Sequence, residues 1–248
     1  VIRVTVWNEF IHERENPAIR AVYPDGIHGC IGSFLKKEAD MSVRLSSLDL
    51  ADQGLGRELL AETDVLIYWA HLRHDLISSE TVERVRERVH SGMGLIALHS
   101  AHHSKIMQSL LGTSLNLKWR DGDRERLWCV NPSHPITEGV PEKIELPQEE
   151  MYGERFDIPE PDELVYVGWF SGGEVFRSGC TFRRGNGKIF YFQPGHEEYP
   201  TYHNPDIQRI IVNAARWARP VNPLPAPAPC VNAKASPEAE RGLKQDAQ

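Results

Sequence analysis

Four polar side chains, Glu9, His71, His99 and His196, stand within a few residues of the ends of short apolar runs. The runs are Val4-Thr5-Val6-Trp7, Val65-Leu66-Ile67-Tyr68-Trp69, Gly94-Leu95-Ile96-Ala97-Leu98 and Lys188-Ile189-Phe190-Tyr191-Phe192. Imidazoles beside carboxylates support two chemistries. As neutral ligands, His71, His99 and His196 can hold zinc or a similar divalent ion while leaving a position open for water or substrate. As acid and base, histidine and glutamate move protons near neutral pH, where imidazole titrates unaided. A nucleophilic route has less support, because Ser100 sits in no G-x-S-x-G context and Cys180 follows no strand-end elbow.

The remaining candidates have blander readings. His74, His102 and His103 lie a few residues beyond strand ends and are expected in supporting, helix-start or surface positions. His90 suits the C-terminal end of a helix, where positive charge is favoured. His12, His28, His134 and His203 fall in loops or at helix starts, with surface placement expected. Glu149 adjoins Glu150 and Glu197 adjoins Glu198, so only one of each pair is expected to point inward.

Bringing the four strand ends together requires a parallel sheet, whose carboxyl edge forms one crevice. The order of elements supplies one. Val4–Trp7 is the first strand, and Asn8 to Glu13 reads as a loop. Tyr23-Pro24-Asp25-Gly26 is a turn, followed by a helix over about His28–Ala39. A second strand spans Ser42–Leu45, with a short helix near Arg57–Ala61. The strand Val65–Trp69 is followed by a helix that opens at Ser79 and stops at Ser91-Gly92-Met93-Gly94. Repeated strand-then-helix units imply right-handed crossovers and helices on both faces, an α/β doubly wound pattern.

After a helix over Lys105–Leu111 the pattern changes. Leu115–Trp119 and Glu125–Val130 flank Asp121-Gly122, which predicts a hairpin. Short strands follow up to Tyr152, then strands over Glu163–Phe170 and Glu174–Phe182, so antiparallel strands are expected to extend the sheet. A final helix starts at Asp206 with Ile207, Ile210, Ile211, Ala214, Ala215 and Trp217 on its apolar side. Residues 1–219 are expected to form one domain, and the Pro/Ala-rich segment 220–248 a packed or disordered tail.

Composition narrows the class further. A chain of 248 residues with a net charge of -7 lacks the cationic surplus that phosphate binding requires, so no nucleic-acid partner is expected. No apolar run approaches a membrane span, and the opening Val1-Ile2-Arg3-Val4-Thr5-Val6 reads as a strand rather than a leader, so a cytoplasmic location is expected. Cys30, Cys129, Cys180 and Cys230 stand singly, which fits neither a disulfide framework nor a zinc knuckle. Trp119 and Trp128 near the expected hairpin could cover a partner copy, so a homo-oligomer is a candidate state.

Gly94-Leu95-Ile96-Ala97-Leu98-His99-Ser100, His134-Pro135-Ile136, Glu150-Met151-Tyr152 and Gly187-Lys188-Ile189-Phe190-Tyr191 with Pro194-Gly195-His196-Glu197 resemble, in that order, the ThuA family of trehalose-utilisation proteins. The resemblance covers about residues 1–219. It implies a flavodoxin-like fold similar to the class I glutamine amidotransferases, in which a cysteine occupies the elbow after a central strand and a His-x-Glu pair follows a later one. Here His99 stands at the elbow, with His196 and Glu198 at the pair, so amidotransfer through a thiolate is not expected.

The resemblance implies instead a role in disaccharide breakdown alongside a sugar dehydrogenase, with a small-molecule sugar as substrate. The expected reaction isomerises or cleaves an oxidised (keto) sugar, with His99, His196, Glu150, Glu197, Tyr152 and Glu9 as candidate catalytic residues. A divalent metal, zinc by ligand type, is the expected cofactor on His71, His99 and His196, and no nucleotide cofactor is expected. Two rivals stay open: a non-catalytic sugar- or metal-binding protein on the same scaffold, and a hydrolase using Ser100 or Cys180.

Overall fold

The computed structural model describes residues 1–222. Five parallel strands form one half of its sheet: β1 (Ile2–Asn8), β2 (Met41–Ser47), β3 (Val65–Trp69), β4 (Gly94–Leu98) and β9 (Gly187–Phe192). The other half is antiparallel: β5 (Lys118–Cys129), β6 (Lys143–Gly153), β7 (Glu163–Phe170) and β8 (Val175–Arg184). Together they make one nine-stranded sheet in the order β2-β1-β3-β4-β9-β8-β7-β5-β6.

The central strands are apolar throughout because both of their faces are covered. In β4, Ile96 and Leu98 face a core that contains helices α3 (Gly26–Leu35) and α7 (Pro205–Ala218). Leu95 and Ala97 face a second core with α4 (Arg57–Ala61), α5 (Ser79–Ser91) and α6 (Lys105–Leu111). The chain is therefore a three-layer α/β/α sandwich with an antiparallel extension. Side-chain caps mark where the long helices begin: Ser78 accepts from the Thr81 amide, Ser104 from that of Met107, and Asn204 from that of Asp206.

Register places the strand ends in one row. Asn8 pairs with Trp69, Trp69 with Leu98, and Leu98 with Phe192, so four parallel strands stop level with each other. The chain leaves each at the same edge of the sheet. Gly94 admits α7 at the opposite edge, since a Cβ there would lie 2.5 Å from the Ala218 carbonyl oxygen.

Several expectations change. Asp121-Gly122 is not a hairpin turn: β5 runs unbroken from Lys118 to Cys129, with register shifts between Arg120 and Asp123 and between Asp123 and Glu125. Gly122, at φ 72°, supplies the left-handed conformation such a bulge uses, which gave the segment the signature of a turn. The short strands expected before Tyr152 are one strand, β6. The expected helix over His28–Ala39 runs over Gly26–Leu35, and the second strand extends to Met41–Ser47. The loop expected after Asn8 contains a single helical turn, α1 (His12–Glu15), followed by α2 (Pro17–Val22). Most of the tail expected over 220–248 lies outside the described residues, among which no helix is long and apolar enough to cross a membrane.

Because backbone atoms of α7 would have to yield to a new methyl group, Gly94→Ala is expected to lower stability by about 1–3 kcal/mol. Urea unfolding followed by far-UV circular dichroism measures this; an unchanged midpoint would show that α7 yields freely.

Candidate active site

β4 ends in an abrupt turn. His99 adopts φ 55°, a left-handed conformation uncommon outside glycine, and the chain then closes into a 3-10 turn over His99–His103. That geometry turns the imidazole inward, where it is fully buried. His99 Nδ1 donates to the Gln193 carbonyl oxygen at 3.1 Å, which leaves Nε2 at 3.1 Å from Glu150 Oε2 and 3.5 Å from the Tyr152 hydroxyl.

Glu150 and Tyr152 reach this point because they are two residues apart on β6 and so share a face. The antiparallel half curls until β6 meets the loop after β9. Glu149, on the alternate face, fastens that contact: its carboxylate accepts from the Gly195 amide (2.9 Å), the His196 amide (3.0 Å) and the Thr201 hydroxyl (2.7 Å). Both glutamates are buried, contrary to the expectation that only one would point inward. Glu149 grips a loop while Glu150 faces the histidines. Of the other pair, Glu197 is buried and Glu198 exposed.

His71, His99, His196 and Glu150 each offer a ligand atom, and these atoms lie within 4.8 Å of one another. Above them is a cavity of about 550 Å³ lined by His71, Ser100, Glu150, Tyr152, His196 and Glu197, among others. Glu9 stands outside that lining. Its carboxylate accepts from the backbone amides of His71, Leu72 and Arg73 at 3.0, 3.3 and 3.0 Å, which fixes the turn carrying His71. Ser100 hydrogen-bonds to the Tyr152 hydroxyl, and Cys180 lies off the cavity with its thiol pushed up to about 12 by burial.

His12 sits in the cluster rather than on the surface. Its Nδ1 is 3.1 Å from Glu197 Oε1, and its ring stacks on that of His71 at 5.2 Å. Glu197 also accepts from His71 Nδ1 at 3.0 Å. No spacing in the sequence links His12 to His71 and Glu197; only the first helical turn brings it there. His28 and His134 are buried as well, against the expectation of surface positions. His134 caps the Ile136 amide, and His28 Nδ1 lies 3.2 Å from Asn8 Nδ2.

The electrostatics separate the groups. Burial disfavours charge on His99, yet the adjacent Glu150 carboxylate outweighs it and raises the His99 pKa. Burial likewise opposes charge on Glu150, and the imidazole of His99 beside it overcomes that, so the carboxyl titrates below its usual value. Glu197 is held at about 2 despite burial, through His71. Burial, reinforced by the nearby His99, pushes His196 down to about 4, so it is neutral at pH 7. Burial raises Tyr152 well above the usual phenol range.

Proton positions follow from these partners. A carbonyl and an ionised carboxylate only accept, so in the neutral rings Nδ1 carries the proton on His99 and on His71, and Nε2 keeps its lone pair, which on His99 faces the Tyr152 hydroxyl. His196 differs: its Nδ1 accepts from the Glu198 amide at 3.2 Å, so in the neutral ring Nε2 carries the proton. Glu150 Oε2, although close to His99, makes no hydrogen bond of acceptable geometry among the described residues. Two imidazoles anchored at Nδ1 and a buried, unbonded carboxylate oxygen make a donor set that fits a divalent cation. In the observed orientation His196 presents an N–H rather than a lone pair.

A level row of parallel strand ends, a histidine on the elbow and a carboxylate from an antiparallel extension define a flavodoxin-like doubly wound α/β protein. Residues 3–218 match the ThuA family, described as trehalose utilisation, and the chain belongs to that family. Among curated proteins none matches. The fold is similar to that of a ThuA-like protein from Bacteroides uniformis, with TM-score 0.60 and 15% identity over 87% of this chain and 90% of that one. A ThuA-like protein from Parabacteroides merdae gives TM-score 0.60 at 14% identity, covering 90% and 92%. A cytoplasmic protein from Salmonella typhimurium gives TM-score 0.59 at 11% identity, covering 89% and 100%.

The His99–Glu150 pair has a definite pH signature. Glu150 contributes stability above its unfolded value of about 4.3 and loses it as pH falls through its lower folded value. His99 contributes below about 6.5 and loses it as pH rises through its raised folded value. In chelator-treated protein, the Tm excess of wild type over Glu150→Gln is therefore expected to be largest between about pH 4.3 and 6.5. A difference that does not vary with pH contradicts the pair.

Proposed function

We propose that this chain is an enzyme of disaccharide breakdown that acts on an oxidised (keto) sugar by abstracting the acidic proton beside the ketone. The observation that carries the reading is the convergence of His71, His99, His196 and Glu150 within 4.8 Å beneath one cavity. The family's description as trehalose utilisation favours a sugar as substrate. Such a ketone arises when a dehydrogenase oxidises a sugar hydroxyl, so the enzyme would act after a reaction of that class.

Each group has a task in this chemistry. Glu150, ionised at neutral pH and with an oxygen free of hydrogen bonds, takes the proton from the carbon next to the carbonyl. His196, neutral and carrying its proton on Nε2, donates to the oxygen on which negative charge develops. The enediolate then either takes a proton back on the neighbouring carbon, giving an isomer, or expels an alkoxide from the next carbon, which cleaves the glycoside. Tyr152 and Ser100, bonded to each other at the cavity wall, hold a substrate hydroxyl.

His71 and His99 would hold a divalent cation, zinc by donor type, leaving Glu150 as the base, with His196 as a third ligand only if its ring turned over. When bound, the ion supplies Lewis-acid polarisation of the carbonyl oxygen. Glu197 and Gln193 keep His71 and His99 in the tautomer that ligation needs.

Incubation of the purified chain with 3-ketotrehalose in D2O tests the reading. NMR is expected to show deuterium at the carbon beside the ketone, together with an isomer or a released glucose. Glu150→Gln and His196→Ala should each lower that rate by about 10²-fold or more, whereas Ser100→Ala, losing one contact to a substrate hydroxyl, should raise KM with little change in the maximal rate. Elemental analysis of untagged protein decides whether a cation takes part. Tight binding of the sugar with neither exchange nor product, with or without added zinc, overturns the catalytic reading in favour of a binding protein.

A further inference from the structure

We infer that Trp119 forms a stacking platform for the second ring of a disaccharide, in a subsite at the cavity mouth; this rests on the sugar reading of the site above. Trp119 is a large apolar side chain left 62% exposed, and it lines the cavity that the histidine cluster underlies. Its direction is fixed by pairing. Trp119 lies opposite Tyr152 across the β5–β6 ladder, so both side chains project from the same face of the sheet. Tyr152 forms the inner wall, and Trp119 continues that wall outward.

Polar groups that suit a sugar surround the indole. Asn116 and Asp121 line the same mouth, are exposed, and make no side-chain hydrogen bond among the described residues. An indole face offers apolar contact to the C–H face of a pyranose, while a carboxylate and an amide beside it bond to the ring's hydroxyls. A protein contact would favour a flat apolar patch with little free polar capacity; this rim is a single aromatic set among open hydrogen-bonding groups inside a concavity.

The bulge in β5 gives the platform its position. A Cβ at Gly122 would lie 3.7 Å from the hydroxyl of Tyr199, whose ring packs 5.3 Å from that of His196. The strand segment next to Trp119 thus runs close to the loop that carries a candidate catalytic histidine. A first ring at the cluster and a second on Trp119 make the substrate a disaccharide or other glycoside with a ring-sized second group.

Binding of α,α-trehalose and of glucose by the full chain, measured by calorimetry, tests the subsite. Trp119→Ala is expected to weaken trehalose about 10-fold while changing glucose affinity less than about two-fold, and Trp119→Phe is expected to keep most of the trehalose affinity. Far-UV circular dichroism confirms that both variants fold. If wild type binds both sugars and Trp119→Ala binds both equally well, or loses both alike, the subsite is overturned while the sugar reading stands. If wild type binds neither sugar, the subsite is overturned, and the sugar reading is decided separately by the exchange experiment with 3-ketotrehalose.

Discussion

A buried carboxylate ties the far edge of the antiparallel half back to the parallel half. Glu149 comes from an antiparallel edge strand and accepts two backbone amides and a hydroxyl from the loop that follows the last parallel strand. Burial raises its pKa, and the cost of burying it is offset by hydrogen bonds that a neutral side chain of the same shape could not all receive. The contact matters because strands alternate. Fixing Glu149 toward the loop forces Glu150 and Tyr152 onto the alternate face, toward the elbow at His99.

The same device recurs around the crevice. Glu9 accepts the three amides of the turn after β3, and Glu13 accepts from the Ile27 amide and the Asn8 side chain. Carboxylates thus hold the turns at the strand ends, and these turns place His71 and His196 on the cavity wall. Left-handed backbone at His99 is part of the same construction, since a level row of strand ends leaves little room for a gradual turn.

Within the cluster, proximity and burial pull in opposite directions. Four imidazoles and two carboxylates share a space in which the charges on His99, Glu150 and Glu197 depend on their neighbours. His99 with Glu150 and His71 with Glu197 form two pairs, while His196, facing other imidazoles, stays neutral. That division separates a group suited to accept a proton from one suited to donate a hydrogen bond, although both lie on one cavity.

The sequence by itself determined the parallel half, because five-residue apolar runs such as Val65–Trp69 and Gly94–Leu98, too short for helices and bounded by turn residues, read as strands covered on both faces, and the polar residues after them then share an edge. His71, His99 and His196 were legible for that reason. Tertiary structure alone decided the rest. Asp121-Gly122 carries the local chemistry of a turn, and whether a left-handed glycine ends a strand or bulges it depends on the partner strand, here β6. His12 and Glu149 carry no local mark at all. They belong to the site because a helical turn and a curled sheet bring side chains distant in the chain to within hydrogen-bonding distance, and one-dimensional periodicity does not record such contacts.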